Sequence, residues 1–290
     1  MRYEGTIYRP PSEANSLLIQ ATIGCPHNRC VFCGMYRKKK FRIRPVAEIK
    51  EDLIMARSHY GPNINSIFFP DGNSIFMKTD ELIEILEYAR ELFPQITRMT
   101  VYGSAKFLKY KSPTELFRLR QAGLSRIHAG LETGDDPTLL FIEKGFTAAE
   151  AVENGLKVKE AGIELSEYVL IGIAGMDRSL IHAHATARVL NEIKPDFIRL
   201  RTYVPVPRTP LYEAYQRGEF HLPGPYGALK ETRTLIENLS GPGQLFSDHI
   251  SNFAWINGSI SNDKGKMLAI LDELLQLPEQ QFQSVDFHRL

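Results

Sequence analysis

Gly24-Cys25-Pro26-His27-Asn28-Arg29-Cys30-Val31-Phe32-Cys33 decides how this chain is read. The stretch holds all 3 cysteines of the 290-residue sequence. They are spaced Cys-x4-Cys-x2-Cys and follow an apolar run of strand character. Three thiolates this close converge on one centre only if the loop wraps round it. Soft thiolate ligands favour zinc or an iron–sulfur cluster. Three protein ligands leave one coordination position for something else, as in a cluster that does chemistry. Two plainer readings stand beside this one. A disulfide would leave one cysteine unpaired, and nothing marks secretion. A Cys3His zinc site would recruit His27.

Composition narrows the class. With 43 % hydrophobic residues, the chain can bury a core as one large α/β domain or two small ones. A net charge of +1 builds in no general attraction to nucleic acid or membrane. No apolar run approaches the roughly eighteen residues that span a bilayer. Met1-Arg2-Tyr3-Glu4-Gly5 lacks an apolar signal core, so a reducing, cytoplasmic location is expected.

Outward from the cysteines, strand and helix patterns alternate. Residues 1–14 read as an irregular arm carrying Pro10-Pro11. Asn15–Ile23 is the first expected strand, and it delivers Cys25 from its C-terminal end. Ile49, Leu53, Ala56 and Tyr60 keep helical spacing. Strands are then expected at 66–69, 99–102, 125–131, 165–171 and 197–204. Helices are expected at 82–93, 113–121, 148–161 and 180–193, with Gly123 and Gly162 as stops. Such alternation implies right-handed crossovers and a parallel sheet. The units are too few for a closed eight-stranded barrel. An α/β fold is expected, a partial (β/α)6 TIM-type barrel over residues 15–240. A C-terminal extension, 241–290, would cover the barrel mouth and carry one amphipathic helix near 263–275.

Strand alternation also assigns faces. In the sixth strand Ile198, Leu200 and Val204 are apolar, whereas Arg199, Arg201 and Tyr203 are polar. Arg126, His128 and Glu132 alternate with Ile127, Ala129 and Leu131, and Ser166 and Tyr168 with Leu165 and Val169. Either these polar residues line a wet, functional lumen or they are satisfied pairs inside the core. Two lumen arginines call for an anionic group.

The cysteine loop resembles that of the radical S-adenosylmethionine (SAM) superfamily. There the commonest spacing is Cys-x3-Cys-x2-Cys with an aromatic residue before the last cysteine, as Phe32 is here. One extra residue stands in the first gap. Other strand-end motifs fall in the family's order. Pro70-Asp71-Gly72-Asn73 lies where the family binds the SAM amino group. Tyr102 and Ser104 end the third strand, at a ribose or methionine-side position. Gly130-Leu131-Glu132-Thr133-Gly134 resembles a Gly-x-Glu-Ser stretch of the branch containing the anaerobic coproporphyrinogen oxidase and the Elp3 catalytic subunit. Gly172-Ile173-Ala174-Gly175 resembles the adenine-side glycine turn.

The resemblance implies cofactors and roles. Cys25, Cys30 and Cys33 would bind a 4Fe-4S cluster whose fourth iron takes SAM. Phe32, Asp71, Gly72, Tyr102, Ser104, Glu132, Ser166, Gly172 and Arg199 would serve SAM. Reductive cleavage would give a 5′-deoxyadenosyl radical that takes a hydrogen atom from a small-molecule substrate. Arg201, Tyr203 and Tyr168 would face that substrate, with Arg201 gripping its carboxylate or phosphate. The absence of further cysteines argues against a second cluster, and so against methylthio transfer. The basic run Arg37–Arg44 is either a solvated face or the dock for an acidic electron donor such as a flavodoxin or ferredoxin. The loop Asp248-His249-Ile250-Ser251-Asn252 is either a surface turn or a contact at the barrel mouth. Competing functions are RNA or tRNA modification and a non-catalytic zinc or iron–sulfur module; net charge gives nucleic acid no support.

Overall fold

The computed structural model describes residues 1–282. The chain divides into two compact units. The first comprises Met1–Asn28, Met35–Ala129 and Asn154–Leu165. The second comprises Arg29–Gly34, Gly130–Glu153 and the chain from Ser166.

In chain order the first elements are β1 (Leu17–Leu18), β2 (Thr22–Ile23), β3 (Arg42–Ile43) and α1 (Val46–Tyr60). They are followed by β4 (Ser66–Phe69), α2 (Thr79–Leu92), β5 (Arg98–Gly103), α3 (Ala105–Leu108), α4 (Pro113–Ala122) and β6 (Leu124–Glu132). In the first unit β1, β4, β5 and β6 lie in that order, each pair parallel. The expected single strand at 15–23 is broken. Leu17–Leu18 pairs with β4, but Thr22–Ile23 leaves to pair antiparallel with Arg42–Ile43. That two-residue ribbon ties the chain entering the cysteine loop to the chain leaving it.

Helix ends follow local chemistry. At α4 the Ser112 side chain accepts from the Glu115 N–H while Glu115 reaches back to the Ser112 N–H, and Pro113 supplies the first turn. Gly123, at φ 115°, ends the helix in a conformation that suits glycine. α1 buries Ile49, Leu53 and Ala56, the spacing seen in the sequence, and also Asp52. Asp52 is matched: Arg44 Nη1 donates to it at 2.7 Å and Arg2 Nε at 3.1 Å. Arg44, read as part of a basic surface run, is therefore a buried scaffold residue. Its companions Arg37, Lys38 and Lys40 are exposed.

Two polar side chains of β6 are satisfied inside the first unit rather than set in a wet cavity. Arg126 Nη2 lies 2.7 Å from Glu164, and His128 Nε2 lies 2.9 Å from Glu13, the latter pair fully buried. Glu13 comes from a short 3-10 turn, Pro11–Glu13, in the segment expected to be an irregular arm. Nothing in the strand pattern pointed to a carboxylate more than a hundred residues upstream.

The chain continues with α5 (Asp136–Phe141), α6 (Ala148–Glu160) and β7 (Glu164–Ile171). Then come α7 (Gly175–Ile193), β8 (Phe197–Thr202), α8 (Pro210–Gln216), α9 (Gly224–Asn238), β9 (Gln244–Phe246), β10 (Asn257–Ser259) and α10 (Ile260–Leu274). In the second unit β7, β8 and β9 are parallel and β10 closes antiparallel on β9. The last two strands and α9 were not anticipated. α9 opens Gly-Pro-Tyr-Gly, which reads as loop, yet Ala228, Leu229, Thr232, Leu235 and Ile236 are buried at helical spacing. Residues past 240 therefore extend the sheet at β8. The last stretch of the expected extension lies outside the described residues.

Candidate functional site

Cys25 sits where β2 ends and is held by the turn that follows β4. In Pro70-Asp71-Gly72-Asn73, Asp71 and Asn73 both adopt left-handed backbone, at φ 67° and 66°. The Gly72 N–H donates to the Gly24 carbonyl at 2.9 Å. A Cβ on Gly72 would stand 2.7 Å from the Cys25 Cβ and 3.1 Å from its Sγ, so only glycine leaves room there. Asn73 Nδ2 lies 3.6 Å from Cys25 Sγ. Asp71 is fully buried, and its Oδ2 accepts from the Gly24 N–H at 2.8 Å and from Gln20 Nε2 at 3.0 Å. Burial pushes its carboxyl upward, opposed by the Gly24 N–H and the Lys39 ammonium. Asp71 thus turns its charge onto the cysteine loop, and Gly72 is the cradle for Cys25. His27, in the same loop, faces the Lys106 ammonium at 2.8 Å. Tyr102 packs edge-on against Phe68, at 5.0 Å between centroids, and Ser104 stands at the head of α3.

Cys30 and Cys33 belong to the second unit. Val31 fixes the loop in both directions: its N–H donates to the Ile142 carbonyl and its carbonyl accepts from the Leu211 N–H, each at 3.1 Å. The Cys33 N–H donates to the Cys30 carbonyl at 3.2 Å. The Phe32 ring meets Tyr203 edge-on at 6.5 Å. Tyr203 is buried with Ile142, Ile173, Leu211 and Phe220. Its hydroxyl makes no hydrogen bond of ordinary geometry, and burial raises its phenol, with Thr209 offsetting this in part. Tyr203, expected to face substrate, is thus packed behind Phe32 in the apolar wall of the loop.

Lys144 is the residue that sequence reading missed. Its Nζ lies 2.8 Å from Glu132 Oε1 and 5.6 Å from the centre of the Phe32 ring. Burial works to lower its ammonium, but Glu132, Cys30 and Cys33 together hold it above the ordinary lysine range. Glu132 is held in left-handed backbone, φ 62°. Glu167 is buried beside this pair. Burial and the Glu132 charge push its carboxyl up to about 8, against the Lys144 ammonium and the Leu131 N–H. One cation and two carboxyl groups thus gather next to two of the three cysteines. Lys144 follows β6 by a stretch with no strand register, so no period placed it.

The turn after β7 is also anchored from an unforeseen direction. Gly172, at φ 83°, donates its N–H at 2.7 Å to Glu231 of α9. Glu231 is fully buried and also accepts from the Ser179 hydroxyl. Burial pushes its carboxyl up to about 7. His182 Nδ1 contacts Thr133 Oγ1 at 2.8 Å, and burial drives its imidazole down to about 4.

On β8, Arg199 is buried, with its guanidinium 4.8 Å from the Phe246 ring centre. Arg201 is exposed and donates from Nη2 to His249 Nε2 at 2.8 Å. Tyr168 stands opposite Arg199 in register, and Ser166 is buried with its hydroxyl unpartnered.

The sequence model of the radical SAM superfamily matches residues 19–186. The chain belongs to that superfamily. It is 20 % identical over 236 residues to the heme chaperone HemW of Bacillus subtilis, covering 79 % of this chain and 61 % of that protein. Coproporphyrinogen III oxidase (HemN) from Escherichia coli superposes with a TM-score of 0.59 at 16 % identity, over 77 % of this chain and 52 % of that one. Elp3 of the archaeon Methanocaldococcus infernus superposes at 0.51 with 12 % identity, over 82 % and 60 %. These likenesses show the expected α/β fold of TIM type. The chain spans about three fifths of the length of HemW.

The family's cofactors are a 4Fe-4S cluster and SAM, and the donor set here fits a cluster. None of the three cysteines is in a disulfide, and all are partly exposed. Among the described residues no three His, Cys, Asp or Glu side chains are gathered to hold a single metal ion. A cubane asks for something else, one thiolate on each of three irons. Gly72 keeps the Cys25 sulfur uncrowded. No helix among the described residues is long and apolar enough to cross a membrane.

Proposed function

We propose that this protein is a radical SAM enzyme acting on an anionic small molecule in a reducing, cytoplasmic setting. Cys25, Cys30 and Cys33 would hold the cluster, and Glu132 would accept from the ribose of SAM. When bound, the cluster and SAM would supply one-electron radical chemistry directed at a hydrogen atom of the substrate. The chain's own residues orient and shield the reactants. Phe32 and Tyr203 form an apolar wall beside two thiolates. Lys144 holds the Glu132 carboxylate in place and offsets thiolate charge. Gly172, fixed by Glu231, presents its turn to the adenine. Arg201, at the end of β8, takes the substrate's carboxylate or phosphate. The exposed Arg37, Lys38 and Lys40, just after the cysteine loop, receive an acidic electron donor.

One observation carries this reading: the part-buried Lys144–Glu132 pair lies beside Cys30, Phe32 and Cys33, so the cysteine loop and the fourth-strand motif meet within one unit. A structural metal module has no use for a part-buried carboxylate held ready there. The test is anaerobic reconstitution with iron and sulfide. The expected product is brown, carries close to four irons and releases 5′-deoxyadenosine from SAM under a strong reductant. Cys30→Ala should lose both. A colourless protein carrying one zinc, or Cys30→Ala with a full cluster, overturns the proposal.

A further inference from the structure

We propose that Arg199 and Arg201 form one site for a ligand bearing two anionic groups, built by the segment Phe246–Asn252, which holds both guanidiniums with uncharged partners. This rests on the reading of Arg201 as the substrate's anion contact; it moves Arg199 from the SAM contact expected from the sequence to a second contact for that ligand, and adds the residues that select for it.

The two arginines are alternate residues of β8, so their side chains leave one face with Cα atoms about 6.6 Å apart. Elsewhere both of the other fully buried arginines, and several half-buried ones, have a carboxylate partner. Arg44 is matched to Asp52, Arg126 to Glu164, Arg178 to Asp135 and Arg233 to Asp272. Among the described residues Arg199 and Arg201 have no carboxylate partner. Arg199 is 8 % exposed, lies over the Phe246 ring, and its Nε makes no hydrogen bond. A ring face attracts a guanidinium but leaves its charge intact. A cation so buried and uncompensated is costly unless an anion arrives.

Arg201 is treated the same way by different chemistry. Its Nη2 donates to His249 Nε2. Burial and the Arg201 charge drive His249 down to about 4, with Asp248 opposing, so the imidazole is neutral near pH 7. A neutral acceptor fixes the guanidinium without cancelling it. The placement is built rather than incidental. Thr202 N–H donates to Ser251 Oγ at 3.2 Å, and Asn252 Nδ2 donates to the Leu200 carbonyl at 2.9 Å. His249 Nδ1 lies 2.8 Å from Ser251 Oγ and 3.1 Å from the Ser251 backbone nitrogen, so Ser251 fixes the ring orientation. The loop is stitched to β8 and presents His249 to Arg201. Phe246, paired in register with Arg199, does the same one strand over.

Binding to the whole 290-residue chain tests this without cluster or SAM. Straight-chain dicarboxylates from malonate to suberate would be titrated calorimetrically, with the equal-length monocarboxylates, phosphate and pyrophosphate alongside. Trp255, the only tryptophan, gives a second readout. One chain length, or pyrophosphate, should bind at least tenfold tighter than its single-charge counterpart. A dicarboxylate preference assigns carboxylic substrates, and a pyrophosphate preference assigns phosphoryl ones. H249D supplies Arg201 with a carboxylate and should erase the preference. R201Q should do so by removing the charge, and it stands in if H249D is unfolded. Equal binding of single and double anions, no saturable binding at all, or an unchanged preference in both variants overturns the proposal. The outcomes separate from the enzymatic reading. If double anions bind but SAM is never cleaved, the site stands and that reading falls. If SAM is cleaved but no double anion is preferred, the reverse holds.

Discussion

Lys144 and Glu132 share a part-buried ion pair, 2.8 Å from Nζ to Oε1, with their side chains 10 % and 15 % exposed. The pair stands next to a second carboxyl, Glu167, which is buried. Deleting the cation leaves two carboxyl groups facing each other away from water. Breaking such a pair from one side typically costs about 3 kcal/mol. K144M should therefore lower the unfolding midpoint of the cluster-free protein clearly. K144M with E132Q should recover part of that loss, because the stranded charge is gone. A double-mutant cycle in denaturant measures it. Simple additivity of the two losses would show that the pair does not act as a unit.

Glu132→Gln tests the same carboxylate toward SAM. The amide keeps the shape but gives up a charge-assisted acceptor. SAM binding to the reconstituted protein should weaken by roughly 1–3 kcal/mol, read by equilibrium dialysis. Affinity equal to wild type would remove Glu132 from the ribose contact.

Gly72→Ala asks whether the turn after β4 shapes the cysteine loop. Its Cβ would meet the Cys25 Cβ at 2.7 Å, whereas at Gly265, in α10, an added Cβ meets nothing within 4 Å. G72A should load markedly less iron per chain on reconstitution. G265A should load normally and gain up to about 1 kcal/mol of stability from helix propensity. Full iron loading by G72A would show that the loop shifts to accommodate the methyl.

How far the sequence reached follows from what each signal depends on. β4 falls at the expected residues, 66–69, and the other long strands agree to within a residue or two, because apolar alternation is a local property. The cysteine loop, Glu132 and the Gly172 turn were legible as motifs. What supports them was not. Glu13 reaches His128, Lys144 reaches Glu132, and Glu231 reaches Gly172, each from a segment whose own pattern says nothing about its partner. Polar alternation on β6 signalled a lumen, but Arg126 and His128 proved to be matched pairs. On β8 the same signal gave two arginines without carboxylates. Alternation reveals which way a side chain faces. It does not reveal whether a counter-charge waits there.

Glu231 should give the protein a measurable pH dependence. Its carboxyl is fully buried, accepts from the Gly172 N–H and the Ser179 hydroxyl, and lies 3.4 Å from His182 Nε2. His182 is held down to about 4, so it brings no positive charge near neutral pH. Burial raises Glu231 from 4.5 to about 7. The folded value lies above the unfolded one, so the folded protein holds this proton more tightly. The stability that proton brings is complete below about pH 4.5 and is lost as pH rises through about 7. The full difference is on the order of 3 kcal/mol. Glu231→Gln keeps an acceptor for Gly172 but cannot ionise. Urea unfolding of both proteins at pH 5, 6, 7 and 8 should show the wild type losing stability relative to E231Q across that window. The gap should level off by pH 8. A gap that stays constant from pH 5 to 8 would mean that Glu231 is already charged at pH 5, with Ser179 and Gly172 stabilising the carboxylate fully.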